Sequence, residues 1–176
     1  MDDYRMLDNI KAHSMVVARV AELVTRGFMQ TTGENLNLDL VISASLLHDI
    51  AKTQCLDNHC DHAKVGSEIC REHGFVEVAD IVAEHVVLKS NGSRPITEKE
   101  IVYYADKRVN HDQVVSLHDR LDYILERYGR NNVVRHDLIQ QNFDKCLRME
   151  KRIFANLDFT PEQLASLIMS TRDWRV

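Results

Sequence analysis

His48 and Asp49 stand side by side in the run Ser43-Ala-Ser-Leu-Leu-His-Asp-Ile-Ala-Lys52, with His13 upstream and His62, His85 and Asp106 downstream. An imidazole next to a carboxylate has little packing value inside a helix. As ligands the two have considerable value: imidazole suits Zn, Mn, Fe, Co and Ni, and a carboxylate adds negative charge and can bridge two ions. Several of these residues sit among apolar neighbours, as in Val82-Ala83-Glu84-His85-Val86-Val87. A helical bundle that turns such groups inward must satisfy them, and a metal cluster does so at once.

The elements that would carry them follow from apolar spacings of three and four, with no convincing strand-like alternation. Met15, Val16, Ala18, Val20, Leu23 and Val24 predict a first helix from Leu7 to Gly27. Leu38 through Ala51 read as a second, nearly all-apolar helix. Asp61 predicts the N-cap of a third that stops at Gly74, and a fourth covers Val76 to Leu88. Residues 89–95 read as a loop, after which Thr97 and Glu100 form a capping-box pair opening a fifth helix to Val109. Further helices are expected over Asp112–Tyr128, Arg135–Ala155 and Pro161–Ser170. Five consecutive helices thus supply the ligands, the second supplying two. The expected fold is all-α, one domain over 1–130 with 131–176 as a helical extension packed on it.

The chain has 176 residues, 44% hydrophobic and 28% charged, with only two prolines and six glycines, a composition that favours long helices. A net charge of −5 gives no electrostatic case for a nucleic-acid polymer or an anionic membrane. The N-terminus has no apolar signal region, and no run approaches the length of a membrane span. The four cysteines, Cys55, Cys60, Cys70 and Cys146, follow no secreted-scaffold spacing. A cytoplasmic protein with reduced thiols is expected.

His13, then LLHDIAK, DHAKVGSEI, VAEHVVL and IVYYADK, in that order, resemble the HD-domain metal-dependent phosphohydrolase superfamily over roughly Leu7 to Arg120. The resemblance is strongest to the branch with two extra histidines, which includes the symmetrically cleaving bis(5′-nucleosyl)-tetraphosphatases. It implies an HD-domain helical bundle in which His13, His48, Asp49 and Asp106 hold one metal. Asp49 bridges to a second ion on His62 and His85. It further implies hydrolysis of a phosphate ester or anhydride by a metal-bridging hydroxide. The substrate would be small and phosphorylated, nucleotide-like, with a dinucleoside tetraphosphate the first specific expectation. Two divalent transition metal ions are expected, from among Fe, Mn, Zn, Co and Ni. Asp49 and Lys52 are the residues implied to act in catalysis, and Lys52, Arg94 and Lys107 to bind substrate phosphate. The segments after His85, after Asp106 and beyond Gly129 depart from that branch and are expected to shape the substrate pocket.

Other readings stay open at this point. A nucleotide phosphomonoesterase, a di-iron oxygenase, or a regulatory module that keeps its metals without turnover would share these motifs. Lys52 reads equally as a helix-end cation, and Arg94 as a solvated loop residue. His73, His111, His118 and His136 read as ordinary core or surface residues. His59 with Cys55 and Cys60 lacks the paired spacings of a structural zinc module, and the stretch Glu126 to Arg135 reads as an exposed turn. The stripe Phe143, Leu147, Ile153, Phe154 and Leu157 is core or the face of a homodimer.

Overall fold

The computed structural model describes residues 1–58, 60–89, 95–130 and 132–170. Its α-helices are α1 (Asp8–Thr32), α2 (Leu38–Leu47), α3 (His62–Glu72), α4 (Val76–Val82), α5 (Glu98–Lys107), α6 (Leu117–Ile124), α7 (Val133–Phe154) and α8 (Leu164–Ser170). The fold is all-α, with one short exception to the strand-free expectation. β1 (Val109–Asn110) and β2 (Gln113–Val114) pair antiparallel, too briefly to leave an alternating pattern in the sequence.

Local chemistry sets most of the boundaries. Asn37 caps α2 by accepting from Leu40 N–H, Asp61 caps α3 through Ala63 and Lys64 N–H, and Thr97 with Glu100 closes the capping box of α5. α1 runs a turn beyond Gly27 to Gly33, which takes φ 72° and donates to Met29 O. Two helices stop short of their expected ends for one shared reason. The His48 ring donates from Nδ1 to Ser45 O at 2.7 Å, occupying the carbonyl that a continuing α2 would offer the Asp49 amide. His85 Nδ1 takes Val82 O at 2.7 Å in the same way and ends α4 at Val82 rather than Leu88. Tighter bonds follow each break, Ile50 N–H to Leu47 O at 3.0 Å and Glu84 N–H to Ile81 O at 3.0 Å.

The core lies between α1, α2, α4 and α5, where Val17, Val20, Val24, Val41, Val82 and Ile101 are buried. Burial of such side chains contributes about 1.5–3 kcal/mol each. Gly66 lets α3 close on this layer. A Cβ there would stand 3.1 Å from Val82 Cγ1 and 3.2 Å from Ile50 Cγ2, beside the turns that carry His85 and Asp49.

α7 is tied to α5 by polar contacts as well as by buried Phe143, Cys146, Met149 and Ile153. Arg108 Nη1 donates to Glu150 Oε2 at 2.8 Å and to Tyr104 Oη at 2.6 Å, while Arg152 Nη1 pairs with the buried Glu100 at 3.1 Å. Arg108 Nε also donates to Val115 O at 2.7 Å, so the same guanidinium braces the segment after the β-hairpin.

Candidate metal centre

α1 supplies His13 from its second turn, α2 ends on His48, and the tight turn that follows presents Asp49. α3 begins with His62, the turn after α4 offers His85, and α5 presents Asp106 in its last turn. These residues lie far apart in sequence and meet at one point. Four rings form a row, His13 to His48 to His85 to His62, with centroid separations of 5.3, 5.0 and 5.1 Å. His13, His48, Asp49, His85 and Asp106 are buried, and His62 is partly exposed.

Three of the rings are oriented by main-chain carbonyls. His48 and His85 use the bonds that end their helices, and His13 Nδ1 donates to His111 O at 2.8 Å. Each bond places the Nδ1 proton outward and turns Nε2 to the common point. This arrangement, a ligand histidine fixed through its other nitrogen, is the usual second support of a metal site.

Asp49 divides its oxygens between two groups. Oδ2 lies 3.4 Å from His48 Nε2, while Oδ1 lies 3.3 Å from His62 Nε2 and 3.5 Å from His85 Nε2. Asp106 Oδ1 stands 3.1 Å from His13 Nε2 and 3.6 Å from His48 Nε2. Among the described residues, the ligand atoms of His13, His48 and Asp49, and those of Asp49, His62 and His85, are each mutually close enough to hold one cation.

The donor set fits a metal on two counts. Among the described residues, His48 Nε2 is fully buried with no hydrogen-bond partner, an orphan that a buried polar atom rarely remains. His62 Nε2 and His85 Nε2 face each other at 3.2 Å, and burial holds His85 below its ordinary pKa, so its Nε2 offers a lone pair. Imidazole and carboxylate without thiolate suit the borderline divalent ions.

Two lysines neutralise the carboxylates from outside. Lys52 Nζ donates to Asp49 Oδ2 at 2.7 Å. Lys107 Nζ donates to Asp106 Oδ2 at 2.7 Å and to His85 O at 2.8 Å, with its cation 4.6 Å from the Tyr103 ring centre. Burial alone would push both carboxyls up. His48 beside Asp49 and Lys107 beside Asp106 outweigh it and hold both well below the usual carboxylate range.

A cavity of about 590 Å³ opens over this cluster. A family model for the HD domain matches residues 10–124, two thirds of the chain and all six of these residues. The chain belongs to the HD domain family. That family includes metal-dependent phosphohydrolases, and the His48-Asp49 pair is its central motif here. The chain is also 27% identical over 139 residues to an uncharacterized protein of Methanocaldococcus jannaschii, covering 71% of this chain and 80% of that one. No solved structure matches it.

Other expected residues fall differently. Arg94 and His59 lie outside the described residues. Lys107 is buried and its ammonium faces Asp106 and His85 rather than open space. Cys55 and Cys60 correct the expectation of reduced thiols: they are joined in a disulfide across the loop leading to His62, with Cα atoms 4.9 Å apart. Their spacing of five residues carried no signal of it. Cys70 and Cys146 are free and buried. His73, His118 and His136 are exposed and lie off the cavity, whereas His111 lines it and lends its carbonyl to His13. Arg127 and Arg135, from the stretch read as an exposed turn, also line the cavity. No helix among the described residues is long and apolar enough to cross a membrane.

Proposed function

We propose that this protein is a metal-dependent phosphohydrolase acting on a small nucleotide-like substrate, with two divalent ions bridged by Asp49. The observation that carries the reading is the division of the Asp49 carboxylate between two donor groups at the floor of one cavity. His13, His48, Asp49 and Asp106 would hold one ion, and Asp49, His62 and His85 the other. Divalent ions bound there supply Lewis acidity toward phosphoryl oxygens and lower the pKa of coordinated water.

The chain's own residues do the rest. The carbonyls of Ser45, Val82 and His111 keep three imidazoles aimed inward. Lys107 orients Asp106, and its burial makes it a positioning residue rather than a phosphate ligand. Lys52, at the cavity wall, is placed to leave Asp49 for a phosphoryl oxygen once metal charge compensates the carboxylate. The charge of the cavity supports an anionic substrate. In a chain of net charge −5, the lining contains Lys52, Lys107, Arg120, Arg127 and Arg135 against only Asp49 and Asp106.

Within this reading a dinucleoside tetraphosphate cut symmetrically is the first substrate to try. The test is chromatographic analysis of products from dinucleoside polyphosphates, nucleoside mono-, di- and triphosphates and cyclic nucleotides, with Mn or Fe(II) supplied. Two nucleoside diphosphates from a tetraphosphate would support that substrate, and nucleoside plus phosphate would replace it with a monoester. Metal-loaded protein that turns over no member of the panel would overturn the nucleotide hydrolase reading.

A further inference from the structure

Opposite the metal centre, the cavity is walled by α6, by the π-helical turn Leu125–Gly129 that prolongs it, and by the start of α7. This wall carries three arginines, Arg120, Arg127 and Arg135, and none is ion-paired among the described residues. Most other cavity cations are spoken for, Lys52 by Asp49 and Lys107 by Asp106. Arg120 is half-buried. One guanidinium nitrogen, Nη1, is anchored on Asn110 Oδ1 at 2.7 Å, and its Nε is buried without a hydrogen-bond partner. A buried, unpartnered N–H on a permanent cation costs free energy unless a ligand completes it.

The anchoring fixes where that group points. Asn110 ends β1 and precedes His111, whose carbonyl holds His13, so Arg120 is tied to the hairpin that braces the metal centre. Its guanidinium carbon lies 5.5 Å from the Tyr123 ring centre. Arg127 approaches the same surface, donating from Nε to Tyr128 Oη at 3.2 Å and from Nη1 to Tyr123 Oη at 3.5 Å. Tyr123 and Tyr128, five residues apart, thus share one guanidinium at the π-helical turn. Such turns recur at functional sites.

We infer that Arg120 and Arg127 form a subsite for a second phosphoryl group, so that the substrate carries at least two, one at the metal centre and the next on this wall. The inference rests on the phosphohydrolase reading and narrows it from phosphorylated compounds in general to di- and polyphosphates. Guanidinium groups suit the task because their planar N–H pairs match phosphate oxygens and stay charged at any physiological pH. The absence of any wall carboxylate among the cavity-lining residues leaves these cations free to meet an anion.

The test is calorimetric titration of the Mn-loaded protein with two non-hydrolysable adenosine nucleotides. One is the 5′-phosphonate analogue of the monophosphate, and the other is α,β-methylene adenosine diphosphate. The wild-type protein should bind the second about tenfold or more tightly than the first, as charged hydrogen bonds to one added group would give. Arg120→Gln and Arg127→Gln should each shrink that ratio severalfold with unchanged metal content, and Arg120→Lys should recover part of it. Because Arg127 is exposed, its variant tests the wall without disturbing the hairpin. A wild-type ratio near one, or a ratio that survives both Gln substitutions, would overturn the subsite and leave the hydrolase reading standing. Protein that takes up no metal, or binds neither nucleotide, would overturn the hydrolase reading itself.

Discussion

His13 and His111 are joined by a hydrogen bond that spans 98 positions of sequence: the His13 ring donates Nδ1–H to the His111 carbonyl at 2.8 Å. His111 holds that carbonyl in place with φ 53°, a left-handed conformation uncommon for residues other than Gly, though His, Asn and Asp adopt it more often than the rest. A left-handed residue is held when the surroundings over-determine it, here by the two-residue strands β1 and β2 that flank it and pair with each other. The backbone, not the imidazole, therefore serves the metal centre. His111→Gly should retain metal affinity, while His111→Val should destabilise the fold by about 1–2 kcal/mol and weaken metal binding. Melting curves and metal titration of both variants check this.

Lys107 gives a second expectation. Its ammonium satisfies Asp106 Oδ2 and His85 O, one group from each half of the centre. Lys107→Met removes the ammonium that lies over the Tyr103 ring and strands both acceptors, at a cost of about 1–3 kcal/mol. Metal affinity should fall with stability, whereas a mere phosphate ligand would lower only kcat/KM.

Lys52 is expected to behave in the opposite way. Lys52→Gln should keep full metal content and lose about tenfold in kcat/KM, through loss of one charged contact to phosphate. An unchanged kcat/KM would leave it as the counter-cation of Asp49 alone.

The metal-free protein should have its own pH profile. Asp49 and Asp106 are depressed below their ordinary value of 3.8, so their contribution to stability is present above that value and is lost as pH falls through the folded value. Burial disfavours charge on His48, but Asp49 and Asp106 outweigh it and raise its pKa above 6.5. That contribution is complete below 6.5 and is lost as pH rises through the raised value. His85, held below 6.5 by burial, works the other way: its contribution is complete above 6.5 and is lost as pH falls through the lowered value. Chelated protein should therefore melt highest near pH 6.5. Metal competes with the His48 proton, so the Mn-loaded protein should melt highest at neutral pH or above. Melting points of both forms across the pH range test the crossing.

The cluster of His13, His48, Asp49, His62, His85 and Asp106 was legible because each of its members sits in a short motif whose residue types have no better packing use. The helices were legible from their caps: Asp61, Thr97 and Gly74 sit where the sequence placed helix boundaries. The ends of α2 and α4 were not, since the interrupting group is a histidine side chain, which periodicity counts as one more helical residue. The cavity wall was hidden for another reason. Arg127 and Arg135 lie in a charge-rich stretch read as a solvated turn and Arg120 in an expected helix, and only long-range packing of α6 and α7 brings them to the cavity. The His111 carbonyl left no side-chain signature at all. The Cys55–Cys60 disulfide was missed because a separation of five residues carries no pairing signal and the expected compartment argued for reduced thiols.

Asp49 is proposed to be shared by two ions, and metal content measured on wild-type protein and Asp49→Asn reads that sharing out. After loading with Mn and removal of excess, the wild-type protein should hold two ions per chain, one for each donor group. The variant should hold neither at stoichiometric level and show no phosphohydrolase turnover. Wild-type protein without stoichiometric metal, or a variant that keeps both ions, would contradict the shared site.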